Sequence, residues 1–192
     1  MEDAVERIYQ ALIRRELDAG DLSARKIASF LGRTTGAVYH RWPSVDVLLF
    51  EVSQRGFIEL TMRLKAAFAK AKRLTDCAEA YVDFGLEQPE LYPLMFERRF
   101  DWIQLRAAGA FETRTPGSEL LAAVICLLTE AGSKDPIADT RLLMAGLHGL
   151  VSFASSGRMN AGELTASDRN VAIAAARDLA TRLTPEKRRT KR

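Results

Sequence analysis

The sequence predicts an all-α protein of about nine helices. Apolar residues recur at helical spacing along almost the whole chain, beginning with Val5, Ile8, Tyr9 and Leu12. Strand-like alternation of apolar and polar residues bounded by turn residues is nowhere persuasive. Helix caps and prolines separate the periodic segments. With 192 residues, of which 47% are hydrophobic, the chain is long enough to bury a full core.

Four helices are predicted in the first 72 residues, each from a residue that suits one of its ends. Gly20 ends the first helix as a C-terminal cap. Ser23 can cap the start of the second, which Gly32 terminates. Thr34 can cap a third, which stops before the next proline, and Ser44 caps a fourth that reaches about residue 72.

Five further helices follow, and most of them start at a proline or at a capping residue. The predicted starts are near Thr75, Pro89, Pro116, Pro136 and Ser167. Proline is tolerated at the first helical position because the missing N–H has no partner within the helix there. Residues 102–116 lack strong periodicity, so we expect a loop that gates a cavity.

Positive charge is concentrated in one part of a chain whose net charge is only +3. Residues 22–45 include Arg25, Lys26, Arg33 and Arg41 and no acidic residue. Each such cation that neutralises a phosphate of nucleic acid releases condensed counterions. Residues 184–192 form a second basic stretch, which we expect to be a solvated, disordered tail.

Three residues within the basic stretch have the spacing of a helix-turn-helix. Ala28 is small where two helices would cross, Gly32 allows a tight turn, and Val38 would lock the second helix onto the first. Many helical hairpins satisfy these three positions, but the acid-free basic flank strengthens the interpretation. With Val38 pointing inward, the start of the second helix would reach base edges in the major groove.

The outward residues supply the groups that nucleic-acid recognition needs. Thr35 can hydrogen-bond a base and present its methyl group to thymine, and Gly36 allows close backbone approach. Trp42 is instead expected to pack inside, with its indole N–H bonded to a partner. The residues predicted to contact DNA are Ser23, Arg25, Lys26, Arg33, Thr34, Thr35, Gly36, Tyr39, His40, Arg41 and Ser44.

Enzymatic and metal chemistry find little support in the sequence. Cys77 and Cys126 lack a CxxC partner and lie in helical patterns, so both are interpreted as buried free thiols. No HExxH, P-loop, GxSxG or GxGxxG pattern is present. We therefore expect no metal and no cofactor, and a helical enzyme ranks below the other interpretations.

The C-terminal half carries residues suited to an apolar effector pocket. Aromatic and thioether side chains line such pockets, although at helical spacing they are also common in plain cores. His148 is a polar member that a core histidine would explain equally well. The candidate ligand-binding residues are Tyr92, Met95, Phe96, Phe100, Trp102, Phe111, Met144 and His148.

Small residues in the last two predicted helices permit close helix approach, either within the chain or across a dimer seam. A dimer is favoured because one recognition helix reads only a half-site. The candidate interface residues are Gly146, Gly149, Leu150, Ala154, Val171, Ala174, Ala175 and Leu179.

These motifs together resemble a known family. The run LSARKIASFLGRTTGAVYHRWPSVDVLLFEV, residues 22–52, is similar to the DNA-binding segment of the TetR family of bacterial transcriptional regulators. In that family an Ile-Ala pair leads to Gly, a polar turn, Gly-x-(Leu/Val)-Tyr, an aromatic residue, and Ser-Lys before Leu. Residues 88–100 and 145–155 resemble segments of a large subgroup whose C-terminal half binds effectors and dimerises.

Two positions depart from the family pattern. Trp42 stands where phenylalanine is usual, and Val45 stands where lysine is usual, which removes a phosphate contact. The resemblance implies a helix-turn-helix domain over residues 1–46, an effector-binding and dimerisation domain over 47–183, and a tail over 184–192.

The sequence therefore predicts a homodimeric regulator, a ligand-responsive repressor that binds a palindromic operator in double-stranded DNA. Its partners would be that operator, a small apolar effector and a second copy of itself. The alternative is a helical small-molecule or lipid-binding module without DNA binding. The acidic start MEDAVERIYQ does not resemble a secretory signal. Residues 120–128 form an apolar run that is too short to span a bilayer. We therefore expect a cytoplasmic protein with no membrane partner.

Overall fold

The computed structural model describes residues 4–110, 114–159 and 167–184. Within them every regular secondary-structure element is a helix, which confirms the predicted fold class. The described residues form ten α-helices and one 3₁₀ helix, η1 (Ala19–Asp21), where the sequence predicts about nine helices. The α-helices are α1 (Ala4–Ile13), α2 (Ala24–Leu31), α3 (Thr35–Arg41), α4 (Val45–Ala71), α5 (Leu74–Glu87), α6 (Leu91–Phe96), α7 (Trp102–Ala107), α8 (Pro116–Ala131), α9 (Pro136–Ser155) and α10 (Asp168–Leu183).

The chain divides into two units, each discontinuous in sequence. The first unit comprises Met1–Glu59 and Gln88–Glu119, and the second comprises Leu60–Glu87 and Leu120–Arg192. The domain boundary predicted after residue 46 falls inside the first unit. Of the basic tail predicted over 184–192, all but the first residue lies outside the described residues.

The first helix is shorter than the sequence predicts. It ends at Ile13 instead of Gly20, because Arg15 takes a left-handed conformation with φ of 58°. The backbone N–H groups of Glu16 and Leu17 then both donate to the carbonyl of Ala11, at 2.8 and 3.4 Å. This turn places Leu17, 4% exposed, in the core.

A short helix occupies part of the predicted loop over residues 102–116. The Asp101 carboxylate accepts hydrogen bonds from the backbone N–H groups of Ile103 and Gln104, at 3.0 and 3.1 Å, and so caps the start of α7. Leu105 is the fully buried residue of this helix. The loop prediction is therefore wrong for Trp102–Ala107. The capping residue Asp101 was the sequence signal for a helix there.

The second unit is built on close contacts of α10 with α5 and α9. The methyl groups of Ala172, Ala176 and Ala180 are fully buried on one side of α10. Arg169 of α10 pairs with Asp83 of α5 at 2.8 Å. Burial raises the pKa of the Asp83 carboxyl, and the charge of Arg169 opposes that rise.

Among the helices of the described ranges, none combines the length and apolar character that a membrane span requires.

Candidate nucleic-acid interface

The α2–turn–α3 segment has helix-turn-helix geometry, as its spacing predicts. Ala28, 2% exposed, is buried with Ile27 and Leu31 on one side of α2. Gly32 ends α2 with φ of 66°, a left-handed conformation that glycine adopts without a steric penalty. The N–H of Arg33 donates back to the carbonyl of Ala28 at 2.8 Å, so the turn between the helices is tight.

Helix α3 is only seven residues long and is held at both ends. The Thr34 hydroxyl oxygen accepts a hydrogen bond from the N–H of Ala37 at 3.2 Å and caps its start. Val38 is the buried residue of α3, and Trp42 follows as its C-terminal cap. Because so short a helix is marginal by itself, these anchors set the direction in which it points.

None of the residues predicted to contact DNA is buried. Lys26 and Ser44 are partly exposed. The remaining nine are exposed: Ser23, Arg25, Arg33, Thr34, Thr35, Gly36, Tyr39, His40 and Arg41. The structure thus separates the polar and basic residues of this segment from the apolar residues that pack inside.

Three hydroxyl groups in the segment cap helices. Those of Ser23, Thr34 and Ser44 each accept a hydrogen bond from a backbone N–H, at 3.3, 3.2 and 3.3 Å. Such an acceptor role leaves the hydroxyl proton available for donation. All three side chains can therefore donate to a phosphate oxygen while they stabilise their helices.

Lys26 differs from the other cations of the segment. Its ammonium lies 2.7 Å from the carboxylate of Asp21, just outside the acid-free stretch. This hydrogen bond raises the pKa of Lys26. A phosphate would have to compete with Asp21 for this cation, so Lys26 is a weaker candidate contact than Arg33.

Trp42 is buried, and its indole N–H has a partner, as the sequence predicts. The ring is 3% exposed, and Nε1 donates to Oε2 of Glu51 on α4 at 3.1 Å. The guanidinium carbon of Arg41 lies 4.9 Å from the centre of the Trp42 ring, within cation–π range.

A second polar anchor holds the start of α4. Arg98 donates from Nη2 to Oδ1 of Asp46 at 2.7 Å, and the backbone N–H of Asp101 donates to Oδ2 at 3.2 Å. Sequence reasoning missed this anchor because its partners lie more than fifty residues apart.

The candidate ligand-binding residues are distributed over both units. Tyr92 and Met95 are buried in the first unit, where Phe96 and Phe100 are half-buried and Trp102 is 55% exposed. The rings of Tyr92 and Phe96 lie 4.7 Å apart. Trp102 lies on α7, edge-on to Phe50 and Phe100 at 6.0 and 6.3 Å. Phe111 lies outside the described residues.

Met144 and His148 of α9 belong to the second unit and are half-buried there. Met144 lines a cavity of about 10 Å³ between α4, α5, α8 and α9, together with Cys77 and Tyr81. This cavity is almost entirely apolar and has room for about one water-sized molecule. His148 is not among the residues that line it.

Two of the candidate dimer residues pack against each other within the chain. A Cβ atom on Gly146 would lie 2.5 Å from a methyl carbon of Leu179, so α9 and α10 approach closely there. A Cβ on Gly149 would meet nothing within 4 Å. Of the remaining candidates, Ala174 is exposed, and the others are partly exposed: Leu150, Ala154, Val171 and Ala175.

Helix α9 has a second apolar stripe that the small-residue pattern did not reveal. Leu142, Ala145 and Phe153 are exposed and share a helix face with Gly149. The exposed fractions of Leu142 and Phe153 are 59% and 56%. This face points away from the buried side of α9, which carries Leu143, Leu147 and Val151.

The two cysteines have different environments. Cys77 is buried, as predicted, and burial raises the pKa of its thiol to about 12. Cys126 is exposed on α8, so the prediction of a buried thiol is wrong there. Helical periodicity placed it beside apolar residues but did not show which side of α8 is covered. In the described part of the chain, no three His, Cys, Asp or Glu side chains cluster as a metal site.

The fold is all-α, and the helix-turn-helix near the N-terminus exposes polar and basic residues. These two features define the class: this is a helix-turn-helix protein. The family model for the tetracyclin repressor-like C-terminal domain matches residues 74–180, more than half of the chain. The chain therefore belongs to the TetR family of transcriptional regulators, as its motifs predicted.

Solved structures share the fold over nearly the whole chain. A protein with unknown function from Rhodococcus sp. RHA1 has a TM-score of 0.70 and 23% identity, covering 96% of this chain and 97% of that one. The superantigen PfiT has a TM-score of 0.61 and 18% identity, covering 96% and 98%. The TetR family transcriptional regulator PfmR from Thermus thermophilus has a TM-score of 0.53 and 14% identity, covering 93% and 97%. No curated protein matches the sequence significantly.

Proposed function

We propose that this regulator is a sequence-specific DNA-binding repressor that acts in the cytoplasm as a homodimer and responds to a small apolar ligand. The observation that carries the proposal is the division of residues 22–45 between two environments. The apolar residues at helix-turn-helix positions are buried, and the polar and basic residues predicted to contact DNA are exposed or partly exposed. A binding module that never meets nucleic acid has no need of such a face.

Recognition would combine two kinds of contact. Thr35 and Gly36, which lie in the first turn of α3, would meet base edges in the major groove. Arg33, Arg41 and the capping hydroxyl of Ser44 would bind phosphates and set the register of α3 along the duplex. Tyr39, 49% exposed, and His40 extend the same surface towards either kind of group.

Dimerisation would supply the second half-site. The exposed stripe of α9, with Leu142, Ala145, Gly149 and Phe153, is an apolar surface that a second copy of the chain would remove from water. A two-fold dimer presents the same surface on both subunits, so this stripe would pack against its own copy. The two α3 helices would then read a palindrome.

The effector would be apolar and largely uncharged. The cavity beside Met144 has the chemistry for such a ligand, but at about 10 Å³ it is far below the roughly 300 Å³ of a small-molecule pocket. Ligand entry must therefore displace side chains. Linkage requires the ligand to bind the DNA-free form more tightly, by about 1–3 kcal/mol, if it weakens operator binding.

Selection of bound duplexes from a random DNA pool tests the DNA-binding proposal directly. We expect an imperfect palindrome whose half-sites lie about one helical turn apart, roughly 34–36 Å or slightly more. Arg33→Ala should weaken binding, whereas Lys65→Ala, which removes an exposed cation from α4 outside the helix-turn-helix, should not. Absence of any enriched sequence, or equal loss in both variants, would overturn the proposal in favour of the binding module.

A further inference from the structure

Trp42, which follows the recognition helix α3, forms a side-chain hydrogen bond that the family's usual phenylalanine could not form. Trp42 is the C-terminal cap of α3, and its backbone N–H donates to the carbonyl of Val38 at 2.9 Å. A phenylalanine could fill the same buried space. It could not donate a hydrogen bond, however, and the indole N–H bonded to Glu51 is therefore a feature that phenylalanine would lack.

The bond between Trp42 and Glu51 joins the end of α3 to the second turn of α4. It is 3.1 Å long, and Glu51 is half-buried. The indole has a single N–H at a fixed edge of its ring, so a bond there constrains the plane of the ring as well as its position. Packing alone would hold the ring in place less specifically.

The exposed cation next to Trp42 depends on that ring. The guanidinium carbon of Arg41 lies 4.9 Å from the ring centre. Within the part of the chain that the structure describes, Arg41 forms no ion pair. Because cation–π attraction at exposed sites is weak, the ring orients Arg41 only as well as the ring itself is held. A side chain oriented before binding loses less conformational freedom when it meets its target.

We propose that Trp42 and Glu51 are positioning residues that orient Arg41 towards a DNA phosphate. Glu51 fixes the indole plane, the indole supports the guanidinium, and neither of the two touches DNA. This proposal rests on the proposed DNA binding and explains a function for the tryptophan that replaces the family's usual phenylalanine.

A double-mutant cycle on the selected operator tests the positioning role. Binding of labelled duplex is measured at several salt concentrations for the wild type, Trp42→Phe, Arg41→Ala and the double variant. Trp42→Phe should weaken operator binding roughly threefold per half-site, and so about tenfold for a dimer. It should also lower the log–log salt slope towards that of Arg41→Ala, which loses about 0.9 for each phosphate contact. In the Arg41→Ala background it should have almost no further effect.

Arg33 provides the matched control for the cycle, because its exposed guanidinium does not stack on Trp42. The effects of Arg33→Ala and Trp42→Phe on operator affinity should therefore multiply. Glu51→Gln keeps an oxygen acceptor and should bind nearly as the wild type does. Glu51→Leu removes the acceptor and should behave as Trp42→Phe does, while the melting temperature reports its folding.

The outcomes separate the two proposals. If the wild type binds no duplex specifically, the proposed function fails and the positioning role fails with it. If the wild type binds, but Trp42→Phe costs the same with or without Arg41 or leaves the salt slope unchanged, only the positioning role is overturned. Should Glu51→Leu fail to fold, the conservative Trp42→Phe cycle still decides.

Discussion

Substituting Gly56 with alanine should destabilise this protein, although helix propensity alone predicts the opposite. Gly56 lies in the interior of α4, where alanine is favoured over glycine by about 1 kcal/mol. A Cβ atom at this position would lie 3.1 and 3.2 Å from Cγ and Cε of Met95, and closer still to its sulfur. Met95 is itself buried, so its side chain has little room to move.

The magnitude follows from these two opposing effects. Overpacking a filled core costs about 1–3 kcal/mol. After the gain in helix propensity, Gly56→Ala should lose up to about 2 kcal/mol of unfolding free energy. For a chain of this length the melting temperature changes by roughly 2–4 °C per kcal/mol, so a fall of up to about 8 °C is expected.

Met95→Ala supplies the matched background, because it removes all three side-chain atoms that the new methyl group would meet. In that background Gly56→Ala should raise the melting temperature, since only the propensity gain of about 1 kcal/mol remains. Thermal unfolding of the four proteins, followed by circular dichroism, gives the coupling energy. The reasoning is refuted if Gly56→Ala raises the melting temperature equally in both backgrounds.

Three further predictions concern the proposed DNA-binding surface and the thiols. Thr35→Ala should reduce the preference for the operator over random DNA by about 1–3 kcal/mol, whereas Arg41→Ala should weaken binding to both DNAs alike. If both variants affect binding to the two DNAs equally, Thr35 does not read a base. Val45→Lys should steepen the dependence of the dimer's DNA affinity on salt concentration by about two in the log–log slope, because it adds one phosphate contact per subunit beside the start of α4. If the slope stays unchanged and the melting temperature falls, this half-buried residue belongs to the core. At about pH 8 a maleimide should label exposed Cys126 quickly and Cys77 only after unfolding. The reason is that burial both shields the Cys77 thiol and raises its pKa to about 12. Similar labelling rates for the two thiols would contradict the fold of the second unit.

The sequence could predict the helix-turn-helix in detail because the signals for it are local. A cap such as Ser23 or Thr34 bonds a backbone N–H three residues ahead, and the left-handed turn at Gly32 depends on that residue alone. The same locality explains why the starts of α8, α9 and α10 were predicted closely from their prolines and capping residues.

Periodicity was less informative where it could not show which side of a helix is covered. Cys126 and Phe153 lie in apolar patterns, yet both are exposed, because the neighbouring helices cover another side. The small residues of α9 showed the same ambiguity. Gly146 packs on Leu179 within the chain, while Gly149 faces open space. A spacing rule describes a face of a helix but not its partner.

By itself, then, the sequence determined the all-α class and the position of the helix-turn-helix, because both depend on interactions within about one helical turn. The tertiary structure alone decided the contacts between distant residues. It pairs Trp42 with Glu51 across a turn, Asp46 with Arg98 across 52 positions, and Gly56 with Met95 between two helices. Those pairs depend on how the helices pack, which is set by the whole core rather than by any one segment.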